Sequence, residues 1–238
     1  MKAVVLAAGA GTRLRPKTET KPKPLVEVAG QPILSHCFDT LLDLGISEAV
    51  VVVGYEKAAI IDRYGDAYGD LTLEYAHQPE RKGLAHAVSM AEPFVDDDFL
   101  VLNGDNIYRA NLAAVLDRHA ATAADLAFPV DDVSPEAAKG GAVCEFDADG
   151  TVIGLVEKPE TPPSTTTPMA AYVLPPEIFP ACKLVQPSER GEYELPDAID
   201  LLIHAGYAVE TVPFEGWKLN INTPDDLARA TEKLESGE

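Results

Sequence analysis

Gly9, Gly11, Thr12 and Arg13 follow directly on a short β-branched run. Lys21 and Lys23 come next, in a stretch studded with Pro16, Pro22 and Pro24. The backbone N–H groups of a glycine turn form a nest for anions. Arg13 adds a forked donor that matches phosphate geometry. The prolines hold the lysine stretch out of helix. On glycine spacing alone, a plain tight turn is the favoured reading. Leu14 stands where a dinucleotide-binding fingerprint needs its third glycine, and no Gly-Lys-Ser/Thr follows to make a Walker A loop. The cations raise the phosphate reading, because they are concentrated in a chain whose formal charge is -20.

Three further groups could do related chemistry. Asp105 closes the apolar run "DFLVLNGD". A carboxylate there is costly unless paired or bound to metal, with a helix cap as the competing role. Magnesium suits a site of one or two carboxylates plus phosphate oxygens. Glu157-Lys158-Pro159 ends another strand-like run and offers an acceptor beside a cation, or only a surface turn. Glu192 and Glu194 in "GEYELPDAID" are acceptors for hydroxyls, or simply solvated. The three cysteines and five histidines are scattered, without the spacing of a disulfide framework or a zinc site.

The elements that must position these groups alternate in type. "KAVVLA", "EAVVVVGY", "DFLVLNGD" and "DLAFPV" read as buried strands, and "LTLEYA" as a more exposed one. Between them "QPILSHCFDTLLDLG", "KAAIIDRYG", "GLAHAVSMAEPF" and "NLAAVLDRHAATAA" read as helices. This order predicts an α/β fold with a mixed, mostly parallel sheet flanked by helices, whose sites lie at the carboxyl ends of strands. After about residue 131 the rhythm changes. "GGAVCEFDADGTVIGLVEKP" reads as a hairpin turning at Asp149-Gly150, "ETPPSTTTP" as a polar loop and "MAAYVL" as a strand. "YELPDAIDLLIHAG" reads as a helix, "YAVETVPF" as a strand, and "TPDDLARATEKLE" as a helix capped by Thr223 with Pro224 at its first position. We expect one domain over residues 1–238, with a nucleotide-side half over about 1–130 and a second half over about 131–238 that completes the pocket.

The acid excess argues against nucleic acid and anionic membranes as partners. It is spread along the chain rather than massed in a tail, which points to a halophilic protein whose self-repulsion is screened by salt. No apolar stretch reaches membrane-spanning length, and only six apolar residues separate Lys2 from Gly9, so a soluble cytoplasmic protein is expected.

Seven ordered blocks resemble the sugar-1-phosphate nucleotidylyltransferases (NDP-sugar pyrophosphorylases) nearly end to end. They are "LAAGAGTRLRPKT", "KPKPLVEVAGQPI", "QPERKGLAHAV", "LNGDNIY", "GLVEKP", "GEYELPDAI" and "NINTPDDLARA". The resemblance implies a Rossmann-like fold. It also implies in-line attack of a sugar-1-phosphate oxygen on the α-phosphorus of a nucleoside triphosphate, with pyrophosphate leaving. By motif, Ala8, Gly9, Gly11 and Thr12 would cradle the nucleotide, and Gln78 and Gly83 would read its base. Arg13 would hold the departing pyrophosphate. Lys23, rather than Lys21, would sit against the reacting phosphates, because the family's lysine follows the proline matched by Pro22. Gly141, Glu157 and Lys158 would bind the sugar phosphate. Asp105 and Asn220 would hold Mg2+; many members have Asp at position 220, and glycine is common where this chain has Asn222.

"LNGDNIY" leans toward the glucose-1-phosphate thymidylyl and uridylyl branch, so UTP or dTTP with glucose-1-phosphate is the expected pair. A guanylyl- or cytidylyltransferase of the same fold, and a non-catalytic subunit that binds nucleotide sugar, are the alternatives. The resemblance admits a homo-oligomer. The hexapeptide-repeat β-helix of acetyltransferase-fused members is missing, so no acetyl transfer is expected.

Overall fold

The computed structural model describes residues 1–9, 11–19 and 21–237. The fold is the expected α/β class, a mixed and mostly parallel sheet flanked by helices. The chain forms two compact units from interleaved segments. One comprises Met1–Arg81, Leu102–Ala110 and the segment from Gly216 onward; the other comprises Lys82–Val101 and Asn111–Glu215.

The first unit is built on three parallel strands, Lys2–Ala7, Glu48–Val53 and Leu71–His77, with Val4 opposite Val50 and Val50 opposite Glu74. The first two are almost wholly buried, as β-branched runs covered on both faces should be. The third alternates buried Leu71 and Leu73 with exposed Thr72 and Glu74, and the short strand Ala67–Tyr68 pairs antiparallel with it. The helix Ile33–Asp43 starts after Pro32 and buries Ile33, Leu34, Cys37, Phe38 and Leu41 along one stripe.

Two further strands of this unit, Asn106–Ala110 and Gly216–Asn220, pair antiparallel, with Tyr108 opposite Lys218 and Asn106 opposite Asn220. Neither was expected as a strand, because each mixes polar and apolar residues and is extended only through the other. The helix Pro224–Ser236 opens with the expected Thr223 cap, completed as a capping box by Asp226. Beneath it a core of Leu14, Val26, Val28, Ile33, Ile107, Ile221, Leu227 and Ala230 ties the glycine turn to the lysine segment and the helix.

In the second unit the strand Leu126–Asp132 pairs parallel with Val209–Pro213 and antiparallel with Thr166–Pro168 and Ala171–Leu174. The hairpin Ala142–Phe146 with Val152–Glu157 forms as expected. The helices Pro135–Ala138 and Ile178–Leu184 were not expected, and the helix expected over 111–124 spans Ala113–Ala121. Other details also differ from the expectation. The helix expected over 83–94 ends at Ser89, and Glu92–Phe94 is a separate 3-10 turn, since Pro93 has no N–H to continue the ladder. The polar loop yields the strand Thr166–Pro168, whose Thr166 hydroxyl donates to Asp132 at 2.7 Å. The helix expected from Tyr193 starts at Leu195, with Pro196 in its first turn.

Candidate active site

The carboxyl ends of the three parallel strands form the floor of the site in the first unit. Gly54 lies there between Ala8 and Gln78: a β-carbon at Gly54 would stand 3.0 Å from Ala8 Cβ and 3.2 Å from the Gln78 carbonyl. The Gln78 N–H donates to the Val53 carbonyl at 2.8 Å, and Ala8 and Gln78 are both buried. Gly9 is exposed, with open space where a side chain would stand. Gly11 is constrained twice. Its φ of +61° favours glycine, and a β-carbon there would lie 2.6 Å from Lys23 Cβ. Its carbonyl accepts from Leu14 N–H at 2.9 Å and Thr18 Oγ1 at 2.8 Å, which closes the turn. Thr12 and Arg13 are exposed on the following 3-10 turn.

Lys23 is the centre of the unit's polar chemistry. Its side chain is 5% exposed, and Nζ donates to Asp105 Oδ2 at 2.6 Å and Asn222 Oδ1 at 2.9 Å. Lys21 is exposed and lies 3.9 Å from Glu27 on the surface. Asp105 is aimed by a tight turn. Gly104 N–H donates to the Leu6 carbonyl at 2.9 Å, and a β-carbon at Gly104 would stand 3.0 Å from Val5 Cγ1 and 3.1 Å from the Leu6 carbonyl oxygen, tighter than a side chain ordinarily packs. Behind it Asn106 donates from Nδ2 to the Tyr108 hydroxyl at 3.0 Å, while its buried Oδ1 has no partner among the described residues. Burial pushes the Cys37 thiol up to about 12, with the Asp105 charge adding to the effect. Burial lowers the pKa of Lys218, and attraction to Asp105 opposes that fall.

The structure sorts the two asparagines. Asn220 is exposed, opposite Asn106 in the ladder, and the Ile221 N–H donates to the Asp105 carbonyl at 3.0 Å. Asn220 is thereby set beside Asp105 through the backbone, whereas Asn222 enters the Lys23 cluster through its side chain. No sequence signal marked Asn222 as a partner of Lys23.

The second unit holds the other predicted residues. The Lys158 N–H donates to the Gly141 carbonyl at 3.0 Å, which brings Gly141, Glu157 and Lys158 together at the open end of the hairpin. Lys158 sits at φ +45°, uncommon for a side-chain-bearing residue, and its Nζ lies 2.9 Å from Glu157 Oε1. Arg190 joins this group: its Nη2 is 2.6 Å from Glu194 Oε1 and 3.6 Å from Glu157 Oε1. The sequence reading missed Arg190, although it is the lone cation of "SERGEYELPDAID". Burial raises the Asp197 carboxyl, and the charges of Glu157 and Glu194 raise it further. Gly83, at φ +104°, lies against the Tyr193 backbone. Tyr193 N–H donates to Lys82 O at 2.7 Å and Ala85 N–H to Tyr193 O at 3.0 Å.

The fold is shared with a UDP-glucose pyrophosphorylase solved with UDP-glucose, at TM-score 0.88 and 21% identity over 100% of this chain and 99% of that one. This is the α/β architecture of nucleotidyltransferases. Residues 2–237 match the nucleotidyl transferase family, and the chain belongs to it. It is 50% identical over 235 residues to the UTP–glucose-1-phosphate uridylyltransferase AglF of Haloferax volcanii, spanning 99% of this chain and 97% of that protein. It is 38% identical over 234 residues to a glucose-1-phosphate thymidylyltransferase of Streptomyces antibioticus, spanning 95% of this chain and 64% of that relative. Among the described residues no helix is long and apolar enough to cross a membrane.

Proposed function

We propose that the protein transfers a nucleotidyl group from UTP, or from dTTP, to glucose-1-phosphate, releasing pyrophosphate and a nucleoside diphosphate sugar. The observation that carries the reading is the buried Lys23 ammonium on Asp105 and Asn222, packed against Gly11 of the glycine turn. A cation kept out of water with one carboxylate beside it attracts phosphate strongly. The 50% identical relative supports uridylyl over thymidylyl transfer.

On this reading Lys23 offsets charge on the reacting phosphates, and Arg13, at the exposed edge of the turn, takes the pyrophosphate. Ala8, Gly9, Gly11 and Thr12 hold the nucleotide, with Gln78 and Gly83 at the base. Glu157 accepts sugar hydroxyls, with Arg190 holding it and Glu194 in place; Lys158 faces the sugar phosphate. An oxygen of that phosphate attacks the α-phosphorus, and the bond to the β-phosphate oxygen breaks. The protein's part is positioning and charge neutralisation.

The donors around Lys23 are oxygens, and among the described residues no three or more His, Cys, Asp or Glu form a group able to hold a metal ion. That set fits Mg2+, which takes one or two protein oxygens and completes its shell with phosphates and water. Asp105 would hold it, with Asn220 beside it, and when bound it would neutralise charge on the phosphates. We place the protein in the cytoplasm, where both substrates are available.

The test is pyrophosphate release in molar KCl with magnesium, crossing UTP, dTTP, GTP and CTP with glucose-, N-acetylglucosamine- and mannose-1-phosphate. Turnover with UTP and glucose-1-phosphate, lost in Lys23→Ala, is the expected result. Binding of a nucleotide sugar without turnover of any pair would favour a non-catalytic subunit, the second reading, which the neutral Asn220 keeps open.

A further inference from the structure

The Lys23 ammonium has two partners of different kinds, the Asp105 carboxylate and the neutral Asn222 amide oxygen. A divalent cation competes strongly for the first and weakly for the second, because attraction scales with ligand charge. We propose that Asn222 is a positioning residue for nucleotidyl transfer: its Oδ1 keeps Lys23 Nζ in place while the Asp105 carboxylate is shared with a divalent cation. The inference rests on the reading of Lys23 and Asp105 given above.

The position of Asn222 is itself tightly determined. On one side Ile221, fully buried in the core, donates its N–H to the Asp105 carbonyl at 3.0 Å. On the other, the N–H groups of Asn222 and Thr223 both donate to Asp226 Oδ2, at 3.0 and 2.9 Å. The capping box of the Pro224–Ser236 helix thus anchors the residue that reaches Lys23. Among the described residues the left-handed non-glycine ones are Ala29, Glu56, Lys158 and Ala170, so Asn222 carries its side chain without that backbone strain. Were residue 222 to lack an acceptor, a cation drawing on Asp105 would strip a buried ammonium of its main partner, which is unfavourable. Cation binding and Lys23 placement would then oppose each other. With Asn222 present, Lys23 keeps a partner whose affinity does not change when the cation arrives.

The experiment titrates Mn2+ into the UTP-saturated protein, followed by electron paramagnetic resonance, for wild type, Asn222→Ala, Asn222→Gly and Asn222→Asp. Pyrophosphate release is measured on the same proteins. Loss of the acceptor should weaken Mn2+ binding and lower kcat by about tenfold each, the scale of one lost hydrogen bond to a charged group. KM for UTP should stay within about twofold, since the loss falls on the reacting arrangement. Asn222→Asp, which restores an acceptor, should bind Mn2+ as tightly as wild type or more so. Wild-type Mn2+ affinity in both Asn222→Ala and Asn222→Gly would overturn the proposal, as would a wild-type protein that binds no Mn2+ with UTP. If the wild type turns over no substrate pair, the functional reading fails, and the Mn2+ titrations still decide whether Asn222 acts on the cluster.

Discussion

The two polar clusters of the molecule solve opposite problems. In the first unit Lys23 is almost fully buried and faces one carboxylate and one neutral amide. In the second, Arg190 is 48% exposed and lies within 3.6 Å of three carboxylates, Glu157, Glu192 and Glu194. A buried ammonium with one carboxylate is little screened by water, so a charged group that meets the pair acts on it strongly. An exposed guanidinium among carboxylates is largely neutralised, and such pairs contribute little to stability. What remains available there is a set of acceptors fixed in direction, suited to hydroxyls. The contrast matches the chemistry proposed for the two ends of the reaction: weakly screened charge for the nucleotide phosphates, and directed hydrogen bonds, with Lys158 for the phosphate, for the sugar-1-phosphate.

Lys23→Ala is the sharpest way to break this contrast. It should lower kcat by about 10²–10³, as loss of one preorganised charge-stabilising donor does, while Lys21→Ala, on the surface, should leave turnover near wild type. Glu157→Gln should act on the other side. It should raise KM for glucose-1-phosphate by about tenfold, the worth of one charge-assisted hydrogen bond, with KM for the nucleotide little changed. Equal effects of both variants on both substrates would erase the distinction between the clusters.

Gly83→Ala tests the frame of the second unit. A β-carbon would collide with the Tyr193 backbone at a φ that favours glycine, so thermal unfolding should show about 1–3 kcal/mol of lost stability. The smallest effect is expected at the helix cap. Partial burial raises the Asp226 pKa, but hydrogen bonds from the Thr223 side chain and from the Asn222 and Thr223 N–H groups outweigh it and leave the carboxyl lowered. That stability is therefore present above the ordinary carboxylate pKa and is lost as pH falls through the lowered one. Asp226→Asn should lose about 1 kcal/mol at neutral pH, and the difference from wild type should shrink on acidification. A difference that grows as pH falls would contradict this account of the cap.

Much of the frame was legible. Uninterrupted apolar runs rich in β-branched residues marked Lys2–Ala7 and Glu48–Val53, since such runs are stable only when covered on both faces. Thr223 and Pro224 marked the start of the last helix, because caps act through neighbours in sequence. Lys23 and Asp105 were legible as groups that needed an explanation, one by its proline-held stretch and the other by its place at the end of a buried strand. That they meet was not legible, and neither was the strand pair Asn106–Ala110 with Gly216–Asn220, because each segment is ordered only by a partner more than a hundred residues away.

The sequence by itself determined the buried parallel strands, the glycine turn and the cap of the last helix, since period, β-branching and glycine or proline chemistry act over a few residues. It also determined the scarcity of cations that made the glycine turn conspicuous. Only the tertiary structure decided which polar groups share a cluster. It set Asn222 rather than Lys21 beside the Lys23–Asp105 pair, and brought Arg190 to Glu157. Such contacts depend on ladder register and on one helix cap, and a shift of a single residue in either would point a different side chain at Lys23.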